Sequence, residues 1–143
     1  MNTPIILVAD HAGFDLKERI RAMLDRNGLA YEDLSPKHVP GDDYPAIGMA
    51  AARKTVKAKG RGIFVCGSGV GMAIAANRIK GARAAVGNSE EGVKRARLDD
   101  DINILTLSGW NTSLPKAMKL IDAFLKTKAS SAARHRRRVK QLG

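Results

Sequence analysis

The 143-residue chain has one cysteine, five prolines and six aromatic residues, and no apolar run long enough to cross a bilayer, which takes about 20 residues. A single cysteine excludes an internal disulfide, and no charged leader precedes an apolar stretch, so a cytoplasmic protein is expected. Six aromatics offer few platforms for stacking on bases. Acidic residues are missing from positions 126–143, which hold seven of the 25 basic ones; residues 1–125 carry 18 basic against 14 acidic groups, +4 of the total +11. The excess charge therefore belongs to a tail, whereas a diffuse nucleic-acid surface would spread it. A basic tail can still grip RNA or DNA by itself, so a nucleic-acid-binding module is the rival class. Repeats, low-complexity tracts and composition breaks are also absent. One domain over 1–143 is expected, with a basic C-terminal helix or arm at about 129–143.

Short apolar runs alternate with helical patterns, which predicts β-α units and a parallel sheet. Ile5–Ala9 reads as the first strand, and residues 14–26 as a helix with Leu16, Ile20, Met23 and Leu24 on one stripe, stopping at Asn27-Gly28. A short strand follows at Tyr31–Asp33. Ser35–Tyr44, with two prolines, a glycine and two aspartates, is a loop, and Pro45 opens a helix to about Lys57. Further strands are expected at Ile63–Cys66, Ala82–Val86 and Ile104–Leu107. Ser89, with Glu90 and Glu91 behind it, and Ser113 with Pro115 read as helix starts; Ala117, Met118, Ile121, Phe124 and Leu125 share one face of the last long helix.

The chemistry concentrates at Cys66-Gly67-Ser68-Gly69-Val70-Gly71. A thiol at a strand end, facing the amides of the next helix's first turn, sits where partial positive charge favours thiolate and a developing oxyanion. The other reading of a lone cysteine is a buried core residue. The glycines do not fit a dinucleotide loop, because the third comes one position early and the loop follows a middle strand. In parallel sheets ligands gather at the carboxyl ends of the strands, and three segments are expected there: Asp10-His11, the Cys66 loop, and Asp99-Asp100 shortly before the fifth strand. Asp10 can equally cap a turn, Asp42 and Asp43 read as a solvated loop, and Asp99, Asp100 and Asp101 as a solvated turn, not a metal cluster, since consecutive acids point apart. Arg134, Arg137, Arg138 and Lys140 fall at helical spacing, either an exposed tail or a phosphate clamp.

Taken in order, Asp10-His11-Ala12-Gly13-Phe14, Asp43-Tyr44-Pro45, Cys66 through Gly71 with Ala75-Ala76-Asn77, and Arg134-His135 with Arg138-Val139 resemble the motifs of the ribose-5-phosphate isomerase B and galactose-6-phosphate isomerase family over nearly the whole chain. The resemblance implies a Rossmann-like three-layer α/β/α domain on a five-stranded parallel sheet. It also implies a homodimer or dimer of dimers with shared active sites, and cofactor-free interconversion of aldose and ketose phosphates without metal. By the same resemblance Cys66 moves the carbon-bound proton, Ser68 relays a proton between oxygens, and the amides of Gly67, Ser68, Gly69, Val70 and Gly71 hold the enediolate. Asp10 orients hydroxyls, Tyr44 lines the sugar channel, and His11, Arg134 and Arg138 bind phosphate. Four positions depart from the family pattern: Asp99-Asp100 stands for His-Asn, Glu91 for tyrosine and Trp110 for a phosphate-binding arginine. Either Asp99 takes over ring opening or the substrate needs none, as with a tetrose phosphate. Asp100 puts negative charge near a developing enediolate. A further alternative is one subunit of a hetero-oligomeric isomerase.

Overall fold

The structure, a computed structural model, describes residues 3–143. Five strands, β1 (Ile5–Ala9), β2 (Tyr31–Asp33), β3 (Gly62–Cys66), β4 (Ala84–Val86) and β5 (Ile104–Ser108), form one parallel sheet in the order β2-β1-β3-β5-β4. Between and after them lie α1 (Phe14–Arg26), α2 (Tyr44–Lys57), α3 (Val70–Asn77), α4 (Glu90–Asp100), α5 (Leu114–Lys126) and α6 (Ala133–Leu142).

The two-residue period of a strand divides the core. Ile5, Leu7 and Ala9 of β1, with Ile63 and Val65 of β3, meet Leu16, Ile20 and Leu24 of α1 and Leu120, Ile121 and Phe124 of α5. Ile6, Val8, Phe64 and Cys66 point the other way, onto Ala51 and Ala52 of α2 and Met72 and Ala76 of α3. Strands covered on both faces read as unbroken apolar runs, which is why IILVA and GIFVC carry no polar alternation. The expected three-layer α/β/α sandwich is thus the observed one.

Ser89 and Ser113 cap α4 and α5, accepting from Gly92 N–H at 3.0 Å and Lys116 N–H at 3.3 Å. The fourth strand begins two residues later than expected. Gly81 turns the chain at φ +87°, Ala82 N–H bonds back to Ile79, and the Asn77 side chain brackets Ala84 through both its N–H and its carbonyl. The basic tail does form a helix, α6. It buries none of its residues and lies against α4, and the segment leading into it is tied to α4 by Ser130 N–H donating to Leu98 O at 3.0 Å and Arg97 Nε to Thr127 O at 2.9 Å.

Backbone approach sets the ends of β1, β3 and β5 side by side. A Cβ on Gly13, just before α1, would lie 2.3 Å from Val65 O, and one on Gly109, just after β5, 2.7 Å from Ala12 O. Neither position has room for a side chain, so the turn after β1 and the turn after β5 close directly on the end of β3 where Cys66 sits.

Candidate active site

Cys66 ends β3 and is 3 % exposed, its sulfur on the α2–α3 face. The backbone then turns through Gly69 at φ +82°, a left-handed conformation that suits glycine, and starts α3 at Val70. This turn aims Gly69 N–H at Cys66 Sγ, 3.2 Å away. Two hydroxyls of β5 staple the loop from behind: Thr106 Oγ1 donates to Gly69 O at 2.7 Å and Ser108 Oγ to Gly67 O at 2.6 Å.

A cleft of about 220 Å³ opens beside Cys66, lined by Asp10, His11, Tyr44, Ser68 and Trp110, along with Ala12, Cys66, Gly67 and Gly71. Cys66 is buried within the core cluster of the α2–α3 face and also borders this cleft. Asp10 is 5 % exposed and its Oδ1 accepts from Gly13 N–H at 3.0 Å, so the carboxylate both holds the turn and faces the cleft. The Ser68 hydroxyl is exposed and accepts from Val70 N–H at 3.1 Å. The Tyr44 ring lies against the Cα of Gly71 and the indole of Trp110 against that of Gly67, where added Cβ atoms would come within 2.7 and 2.5 Å of the rings. Glycine at 67 and 71 thus lets two aromatics form the walls.

Of the loop amides expected to meet an enediolate, those of Gly69 and Val70 already have partners, Sγ and Ser68 Oγ. The first helical bond of α3 is Ala73 N–H to Gly69 O, which leaves the Gly71 amide outside the ladder and at the cleft. The Val70 side chain is half exposed and is not among the lining groups.

His11 is the one lining group able to carry positive charge among the described residues. Asp42, read from sequence as solvated, holds it: His11 N–H donates to Asp42 Oδ1 at 2.7 Å, and His11 Nδ1 lies 3.1 Å from both Asp42 Oδ1 and Asp42 O. The Asp42 side chain raises the imidazole above its ordinary value, desolvation opposes this, and the Asp42 carbonyl and the Asp10 charge add to it. Lys17 was also missed. It is fully buried beneath the loop at 34–43, with Nζ on Asp33 Oδ2 at 2.8 Å, Ser35 O at 2.8 Å and Glu18 Oε2 at 2.6 Å. Lys17, Ile20 and Leu24 share one helical stripe, so periodicity carried a signal that the residue type argued against.

The expectation that Asp99-Asp100 would join this edge is corrected. They close α4 ahead of β5 and so lie at the amino edge of the sheet, whereas Cys66 pairs in register with Ser108 at the carboxyl edge. Asp99 Oδ1 lies 3.6 Å from His135 Nε2 of α6 and 3.5 Å from Arg95 Nη1. Asp100 borders Arg83 and Leu142, and Asp101 pairs with Arg97 and Arg83, so the three acids diverge. Arg134 and Arg138 are exposed on α6, and neither lines the cysteine cleft. A larger cavity, about 620 Å³, lies between α4 and α6 and is lined by Asp99, Ser130, His135, Arg136 and Arg137 among others. It has cations, hydroxyls and an imidazole but no thiol, while the smaller cleft has the thiol and one imidazole.

The sequence profile of the Ribose/Galactose Isomerase family matches residues 5–142. Ribose-5-phosphate isomerase B of Mycobacterium tuberculosis is 39% identical over 137 residues, 94% of this chain and 85% of that one. The fold superposes on the ribose 5-phosphate isomerase of Thermotoga maritima with a TM-score of 0.93 at 33% identity, covering 99% of this chain and 98% of the other. Ribose-5-phosphate isomerase B of Mycoplasma genitalium, solved with bound ribulose-5-phosphate, gives 0.91 at 35% identity, covering 99% and 95%. With a match spanning almost every described residue, the chain belongs to the ribose/galactose isomerase family.

Proposed function

We propose that the protein is a cytoplasmic aldose–ketose isomerase of phosphorylated sugars, interconverting ribose 5-phosphate and ribulose 5-phosphate through an enediolate. The observation that carries this reading is Cys66 bordering a cleft, with an N–H donor 3.2 Å from its sulfur, beside Asp10 and Ser68. Moving a hydrogen from C2 to C1 needs a base at carbon and donors for the oxyanion. Cys66 as thiolate takes the C2 proton and returns it to C1. Ser68 passes a proton between O2 and O1, Asp10 fixes the sugar hydroxyls, Tyr44 lines the channel, and the unpaired loop amides, Gly71 among them, meet the developing charge.

One imidazole is a small counter-charge for a phosphate dianion, and the exposed arginines Arg134 and Arg138 of α6 do not line this cleft. This supports a homodimer or dimer of dimers in which Arg134 and Arg138 of one copy reach the phosphate in the other's cleft, with Asp99 and Asp100 arriving on the same surface. There Asp99 opens the furanose ring and Asp100 contacts the substrate. Trp110 favours a second reading of the substrate: its indole forms a cleft wall where the family pattern has a cation, which suits a shorter sugar phosphate that forms no furanose.

The test is turnover of the isolated chain on a panel of tetrose, pentose and hexose phosphates. Fastest turnover of ribose 5-phosphate is the expected result. Preference for a tetrose phosphate would transfer the assignment to the second reading, and activity only with another subunit present would contradict the homomeric one.

A further inference from the structure

We propose that Asp42 is the positioning residue for the anionic end of the substrate: by clamping His11 at its backbone N–H and at Nδ1, it commits one ring nitrogen to the protein and leaves Nε2 as the donor for phosphate. The inference rests on the sugar-phosphate reading above. The geometry is a three-point hold, N–H to Oδ1 at 2.7 Å and Nδ1 to Oδ1 and to the Asp42 carbonyl at 3.1 Å, between residues 31 positions apart. Both acceptors around Nδ1 are oxygens, so the Nδ1 proton has a place to point in either charge state; Nε2 is a bare acceptor in the neutral ring and becomes the donor to phosphate in the imidazolium, the form that Asp42 favours. A free imidazole 43% exposed would sample several rotamers; this one is fixed at the rim of the cleft.

The loop that brings Asp42 there is anchored without it. Ala9 N–H donates to Ser35 Oγ at 2.9 Å, Ser35 N–H to Asp33 Oδ1 at 2.9 Å and Lys17 Nζ to Ser35 O at 2.8 Å. Farther along, the ring of His38 meets that of Phe14 edge-on at 5.3 Å. Asp42 thus adds little to loop folding and much to His11. The titratable groups around the imidazole are Asp10 from the end of β1, Asp42 from the loop, Tyr44 at the start of α2 and Cys66 at the end of β3. Only the two carboxylates are anionic partners of the ring, and Asp42 is the one in contact. A histidine raised by this partner stays cationic at a pH where an ordinary one is neutral, so anion binding persists further toward alkaline pH and is lost as pH rises through the raised value.

Asp42→Asn keeps an acceptor and removes the charge; Asp42→Ala removes both. Ring resonances of His11, followed by NMR through a pH titration with and without inorganic phosphate, report on the clamp independently of turnover. The inference predicts that both variants lower the His11 midpoint and weaken the phosphate-induced shift. It also predicts a KM for ribose 5-phosphate raised about three- to tenfold, the span of one hydrogen bond's net contribution, with kcat changed less than about twofold. An unchanged midpoint in Asp42→Asn, a fall in kcat with KM unchanged, or a wild-type His11 indifferent to phosphate overturns it. If phosphate moves His11 in an Asp42-dependent way while no sugar phosphate is turned over, the positioning inference stands and the isomerase reading falls.

Discussion

At position 67 a missing side chain lets the indole of Trp110 lie flat against the loop that follows Cys66. A Cβ there would sit 2.5 Å from the ring, closer than any real contact, so Gly67→Ala must push the indole out of the cleft wall. Trp110 is the only tryptophan, and its fluorescence reports this directly. Gly67→Ala is expected to shift and broaden the emission, and to raise KM more than it lowers melting temperature, because Trp110 is already 71% exposed. An unchanged spectrum would show that the ring does not pack there. Residues of this kind mark the limit of what the sequence carried. Cys66, Asp10, His11, Tyr44, Ser68 and the glycines were legible as candidates because each belongs to a short local motif. Asp42 was not, because its partner is 31 residues away and nothing local in Gly-Asp-Asp-Tyr distinguishes a clamp from a solvated turn.

Helix α1 is the element that ties the β1 turn to the loop above it. Its Lys17 ammonium, fully buried over the Phe14 ring at 4.4 Å, is matched by Asp33 and Glu18 and by the Ser35 carbonyl. Removing one partner of a buried pair strands the other. Lys17→Met is therefore expected to cost about 3–5 kcal/mol, measured by denaturant unfolding. The pH dependence has a definite sign. The Lys17 hydrogen bond, aided by Arg21, holds the Glu18 carboxyl below its ordinary 4.5. That contribution to stability is fully present above the ordinary value and is lost as pH falls through the lowered one. The gap between wild type and Lys17→Met should therefore narrow in acid; a gap independent of pH would mean that Glu18 does not share the ammonium. Strands and caps were readable because they depend on local pattern, as Ser89 and Ser113 illustrate. The burial of Lys17 was not, because only the tertiary fold brings Asp33 beneath α1.

In the whole molecule, a parallel sheet has two distinct edges, and the candidate catalytic groups divide between them. Asp99-Asp100 comes before β5 and Cys66 at the end of β3, a polarity that strand direction alone fixes once the sheet is known to be parallel. The family resemblance named both sets of residues without saying that one chain keeps them apart. If two copies share sites, Cys66→Ala and Arg138→Ala, each nearly inactive alone, should regain about a quarter of wild-type activity after mixing and subunit exchange. Half of the dimers are then mixed, and one of the two sites in each is intact. No recovery after verified exchange would put each phosphate arm on its own cleft.

The central claim is that the Cys66 sulfur carries a proton from one sugar carbon to the next, and isomerisation in deuterium oxide tests it most directly. Wild-type protein is predicted to incorporate solvent deuterium at C1 of ribulose 5-phosphate in those turnovers of ribose 5-phosphate in which the thiol exchanges its proton with solvent before returning it. Cys66→Ala is predicted to lose incorporation and turnover together while still binding the sugar phosphate. Deuterium exchange at a near-normal rate in Cys66→Ala would contradict the assignment.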